Sequence, residues 1–129
     1  MLFVYHFEGN AEFGPAAGRI LRAAEEGRIQ LVTSILSLME VLVVPKRKRN
    51  QELCRLYREF FQAFPNLRVL PIDLDIVEIA SDLRAEQGLK TPDSLHVATA
   101  IQAGAEAFVS QDLRLDKIQA IRFLPLSEM

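Results

Sequence analysis

Three acidic residues stand where an α/β chain usually does its chemistry. Glu40 lies about two turns into the helix expected after the apolar run Ile29–Ser34. Asp93 opens the segment TPDSLHVATAIQAG, and Asp112 follows the apolar run Glu106–Ser110 by two residues. Each therefore falls at a strand-to-helix junction or in the first turns of the following helix, beyond the carboxyl ends where open parallel sheets hold their ligands. One carboxylate at a helix N-terminus is unremarkable, because free N–H groups and the helix dipole favour negative charge there. Three converging carboxylates repel one another unless a cation lies between them. Oxygen ligands without cysteine point to Mg²⁺ or Mn²⁺ and away from zinc. Each acid also has a plainer role. Asp93 and Asp112 fit caps or dipole partners. Glu40 sits among Leu38, Met39, Val41, Leu42 and Val43, and a buried carboxylate without a partner is costly. His96, one turn after Asp93, reads as a satisfied core histidine.

The elements that must position these acids are legible as alternating apolar runs. Pro15 opens a helix with Ile20, Leu21 and Ala24 on one stripe and Gly27 at its end. Ile29–Ser34 reads as a strand and Ile35–Val44 as a helix started by Ser34 and ended by Pro45. Asn50–Phe64 carries Leu53, Leu56, Tyr57, Phe60, Phe61 and Phe64 at helical spacing. Leu67–Ile72 is the next strand, and Asp73 caps a helix that stops at Gly88. Thr91 caps a helix with Pro92 in its first turn. That helix is alanine-rich and apolar nearly all round, which predicts burial. Glu106–Ser110 and Ile121–Leu126 are the last strands. This order predicts one α/β domain over residues 1–129, a sandwich with a mostly parallel sheet of four to five strands flanked by helices.

Composition narrows the classes. Half the residues are hydrophobic and a quarter charged, too apolar for a disordered chain. A single cysteine, Cys54, excludes a disulfide framework and a cysteine-based zinc site. No run reaches the roughly 18 apolar residues of a membrane span, and the start lacks the pattern of a signal peptide, so a cytoplasmic protein is expected. The net charge of −2 conceals an asymmetry: seven basic residues lie between Lys46 and Arg68 against two acids, net +5, leaving −7 elsewhere. The run Lys46-Arg47-Lys48-Arg49 is a candidate contact for a nucleic-acid backbone, and equally an ordinary solvated loop.

The stretches TSILSLMEVL, TPDSLHVATAIQAGAEAFVSQD and KIQAIRFLPL resemble the PIN-domain family, in particular the VapC-type toxins of bacterial toxin–antitoxin pairs. The resemblance implies a three-layer sandwich that cuts RNA with Mg²⁺ or Mn²⁺ held by four acids. It carries the roles of metal ligands onto Glu40, Asp93 and Asp112, with Asp116 an auxiliary acid or a surface cap. Ser110 matches a family hydroxyl beside the last acid, able to orient a water or phosphate or simply to satisfy backbone. A cognate antitoxin helix seated near Leu53–Phe64, and a homodimer, are implied in the same way.

The departure is at the start. Leu2–Glu8 matches the apolar stretch that, in the family, follows a first strand ending in aspartate. On this alignment that aspartate falls about two residues before Met1, and a strand formed by MLFVY would contradict the alignment. The expectation is a chain short of one central strand and one acid, with weak metal binding and little cleavage. A non-catalytic PIN-like module that binds RNA or protein is the rival reading.

Overall fold

Pairs of helices precede each of the first three strands, and from Gly14 onward the order is the one the hydrophobic pattern predicts. The computed structural model describes residues 2–129, so Met1 lies outside it. The elements are α1 (Leu2–Phe7), α2 (Gly14–Glu25), β1 (Leu31–Ser34), α3 (Leu36–Arg47), α4 (Gln51–Ala63), β2 (Leu67–Leu70), α5 (Leu74–Gln87), α6 (Thr91–Gln102), β3 (Ala107–Ser110) and β4 (Arg122–Pro125). A 3-10 turn, Leu113–Lys117, joins β3 to β4, and a shorter one, Leu126–Glu128, ends the chain.

Local chemistry sets most boundaries. The Asn50 side chain accepts from the Leu53 N–H at the start of α4, and the Asp73 side chain accepts from the Ile76 N–H at the start of α5. Gly88 closes α5 at φ +68°, a left-handed geometry that glycine adopts without steric cost. Three boundaries differ from expectation. Ile35, not Ser34, is the cap residue of α3, and it makes no side-chain cap bond. Lys90, not Thr91, is the cap residue of α6, and it makes no side-chain cap bond. Pro45 does not end α3, which runs on to Arg47. Proline removes one helical N–H bond, but Pro45 is fully buried, and the helix resumes with Lys48 N–H bonded to the Val44 carbonyl. Burial of the ring offsets the missing bond.

The sheet is divided. β1 pairs parallel with β2, Leu31 opposite Leu67 through Ser34 opposite Leu70. β3 pairs parallel with β4, Ala107 opposite Arg122 through Ser110 opposite Pro125. Among the described residues β1 and β3 are not paired with each other. The four strands nonetheless share neighbours: α6 packs on both β1 and β3, and the cluster of Ala16, Ile20 and Leu126 receives Leu31 from one pair and Val109 from the other. The layers are therefore those of a three-layer α/β sandwich whose sheet is interrupted in the middle. No described segment supplies a strand there, since Leu2–Phe7 is a helix.

Helix α6 is the core of the arrangement. Val97 and Ala98 are fully buried and Ala100 nearly so, and small side chains let this helix approach strands and helices closely. Ile76, Ala80 and Leu83 of α5 pack on it together with Leu115, Ile118 and Ile121. A second cluster, centred on Phe3, Leu21, Val41 and Phe61, joins α1 and α2 to α3 and α4.

Candidate active site

Glu40 is brought to the site by a fastened strand-to-helix turn. Ser34, at the end of β1, is 1% exposed and its Oγ accepts from the Leu36 N–H at 3.1 Å. Thr33 and Ser37 share a hydroxyl hydrogen bond of 2.6 Å across the same turn. α3 then buries Ser37, Val41 and Leu42, leaving Glu40 at the margin of that face. Its Oε1 lies 2.9 Å from His96 Nε2 of α6, and the two side chains are only 20% and 14% exposed. Burial pushes the Glu40 carboxyl up, but the hydrogen bond and charge of His96 outweigh it, so the net displacement is below the usual carboxylate range. The histidine that reads as a satisfied core residue is satisfied by Glu40.

Asp93 stands in the first turn of α6, half-buried and three residues before His96, a spacing that places both on one side of the helix. Asp112 follows β3 and caps the 3-10 turn. Arg114 grips it from that turn: Nε donates to Oδ1 at 3.0 Å, Nη2 to Oδ2 at 2.8 Å, and the Arg114 backbone N–H to Oδ1 at 3.0 Å. These bonds hold the Asp112 carboxyl below its ordinary range, with a smaller contribution from Lys90. Asp93 in turn acts through space on Arg114. α6 thus carries Asp93 together with the histidine that holds Glu40, while Asp112 is held by Arg114 of its own turn. Ser110 Oγ accepts the Asp112 N–H at 3.1 Å. Asp116 is exposed on the 3-10 turn.

This arrangement is not a metal cage. Among the described residues no three His, Cys, Asp or Glu side chains converge as an ion would need. As folded, the acids do not fit a divalent cation: a Glu40 oxygen is engaged by His96, and both oxygens of Asp112 by Arg114. Arg114 does not stand out in the sequence. Its only signal there is the spacing Asp112-Leu113-Arg114, which acquires meaning once a tight turn folds the arginine back.

The sequence matches the PIN domain over residues 2–121. The chain belongs to the PIN-domain family. No curated protein matches the sequence. Solved structures that share the fold include the following two. One is a toxin–antitoxin complex from Klebsiella pneumoniae, TM-score 0.69 and 23% identity over 97% of this chain and 92% of that one. The other is VapBC2 from Rickettsia felis bound to a DNA fragment from their promoter, TM-score 0.72 and 16% identity over 96% and 92%.

Two further surfaces of this PIN domain were singled out by the sequence. Lys46 and Arg47 end α3, Lys48 and Arg49 follow, and all four are exposed. Lys46 is six residues beyond Glu40, about 9 Å along the helix axis. The aromatic face of α4 is largely occupied from within: Phe7 stacks on Tyr57 with ring centroids 4.4 Å apart, and Phe3 meets Phe61 at 4.9 Å. Leu38 also packs on this cluster. Beside it lies a groove of about 370 Å³ lined by Val4, Phe7, Val41, Val44, Leu53 and Tyr57, among others. No described helix is long and apolar enough to cross a membrane.

Proposed function

We propose that this PIN domain is the ribonuclease toxin of a bacterial toxin–antitoxin pair, acting in the cytoplasm on RNA. The placement of Glu40 on the helix after β1, within 2.9 Å of His96 of α6, of Asp93 in the first turn of α6 and of Asp112 just after β3 is the observation that carries it. The likeness of the fold to chains from two toxin–antitoxin complexes supports the biological setting. Glu40, Asp93 and Asp112, with a fourth acid and Asp116 as an auxiliary, would hold Mg²⁺ or Mn²⁺ for hydrolysis of the RNA phosphodiester. Lys46–Arg49 hold the RNA backbone without reading its sequence, and Ser110 steadies the loop carrying Asp112. The groove between α1, α3 and α4 takes an apolar helix of the antitoxin, the helix-in-groove mode of recognition. The working unit is a homodimer.

The test is an extended form bearing an N-terminal strand that ends in aspartate. It gains Mg²⁺-dependent RNA cleavage, and Asp93→Asn in that form abolishes it. Equal cleavage by the Asp93→Asn form refutes the assignment. A second reading, a non-catalytic module that binds RNA or protein, is favoured by the pairing of Glu40 and Asp112 with the chain's own basic groups. RNA binding without cleavage by the extended form decides for it.

A further inference from the structure

We propose that the exposed apolar stripe of α3, with the start of α5 beside it, is the face on which two copies of this chain meet. This rests on the homodimer reading and gives it a surface. Ile35, Met39 and Val43 stand at intervals of four residues, so they share one side of α3 over about 12 Å. All three are exposed, Met39 at 58%. The stripe is separate from the groove lined by Val41 and Val44, since Met39 and Val41 lie about 200° apart around the helix axis. The Ile35 N–H bonds to the Leu70 carbonyl at 2.9 Å, which sets the head of the stripe against the end of β2. From there the chain continues into Ile72, Leu74 and Val77, again all exposed, Leu74 at 73%. Single exposed apolar residues are ordinary, but a contiguous patch rimmed by charge marks an interaction site.

The symmetry and charges of the patch say what covers it. A two-fold interface needs a surface complementary to itself, residue i meeting residue j and j meeting i. Two α3 helices laid antiparallel across Met39 satisfy this, with Met39 against its own copy and Ile35 against the partner's Val43. Lys46, three residues beyond Val43 on the same side, then comes to the head of the partner's stripe. Asp75 and Glu78 stand there, in the first turns of α5. Lys46, Asp75 and Glu78 are all exposed, and none has an ion-pair partner among the described residues. The patch thus carries a cation at one end and acids at the other, and an antiparallel second copy pairs them at both ends. Rim charges of this kind fix orientation more than affinity, which the apolar stripe supplies by leaving water. Lys46 is the one member of the basic run that this contact draws on.

Sedimentation velocity of the chain between about 1 and 200 μM tests this. The parent is expected to pass reversibly from monomer to dimer. Met39→Glu sets two like charges against each other at the two-fold axis and should raise the dissociation constant at least about tenfold. Leu74→Glu, in the other half of the patch, should act in the same direction. Both positions are exposed in the monomer, so far-ultraviolet circular dichroism should show both variants folded. Leu56→Glu, at an exposed apolar residue of α4 outside the patch, should change the constant less than about twofold. Lys46→Glu should weaken the dimer about threefold, and adding Asp75→Lys and Glu78→Lys should recover that loss. A parent that dimerises equally well with Met39→Glu and Leu74→Glu overturns the surface and leaves the homodimer standing. Equal dissociation by Leu56→Glu overturns the surface as well, and charge reversal without recovery overturns the antiparallel arrangement. A parent that stays monomeric throughout the range overturns the homodimer reading itself.

Discussion

His96 Nε2 of α6 and Glu40 Oε1 of α3 lie 2.9 Å apart in a part-buried pair that joins two of the three acid-bearing elements. Removing the imidazole leaves a carboxylate with little solvent and no partner. His96→Ala is therefore expected to destabilise the fold by roughly 1.5–3 kcal/mol, the range for losing a hydrogen bond to a charged group. Denaturant unfolding measures it. His96→Gln, which retains a donor, should recover part of the loss.

Acid should weaken the fold through two carboxylates. Glu40 and Asp112 both titrate below their ordinary range in the folded chain. Groups with depressed folded values contribute stability that is complete above their unfolded values and disappears as pH falls through the folded ones. The contribution of these two carboxylates to the unfolding free energy should thus decline as pH falls through and below the ordinary carboxylate range. Urea unfolding at a series of pH values down to about pH 3 is the measurement. An unchanged midpoint across that range contradicts the prediction. His96→Ala should remove the part due to Glu40.

The basic run should govern RNA affinity without governing sequence preference. Replacing Lys46, Arg47, Lys48 and Arg49 by glutamine is expected to weaken binding to unrelated RNAs alike. It should also flatten the dependence of log affinity on log salt by about 0.7 for each single-strand phosphate no longer neutralised. Fluorescence anisotropy at several salt concentrations reads both. An unaltered slope assigns the run to an ordinary solvated surface.

Ile76 is 1% exposed where α5 packs on α6. Truncation to alanine should cost about 2–5 kcal/mol, since a buried branched side chain leaves a cavity. Because α6 carries both Asp93 and His96, the same change should loosen the Glu40 pair, visible as faster amide exchange around His96.

The order of elements was readable because buried stripes and caps are local. Asn50, Asp73 and Gly88 act within one turn of themselves, and the expectation built on them held. The end of α3 was not readable: a proline usually stops a helix, and only tertiary burial of Pro45 reveals why this one does not. At the site, the spacing of Glu40, Asp93 and Asp112 around strand ends was visible as acidic positions. Their partners were not. His96 meets Glu40 across 56 positions, and Arg114 reaches Asp112 only through a 3-10 turn whose geometry no periodicity announces.

The interrupted sheet has a consequence for how this protein behaves in solution. The Leu31 and Ile35 N–H groups bond to the carbonyls of Asn66 and Leu70 on the β2 side. In a parallel strand the alternate residues, Val32 and Ser34, turn their main-chain groups the other way, toward the side that no described strand occupies. Unsatisfied strand edges are templates for pairing with other chains. Ser34 is buried, so in the folded chain this edge is closed to other molecules, and it becomes a template for intermolecular pairing only when the two strand pairs part.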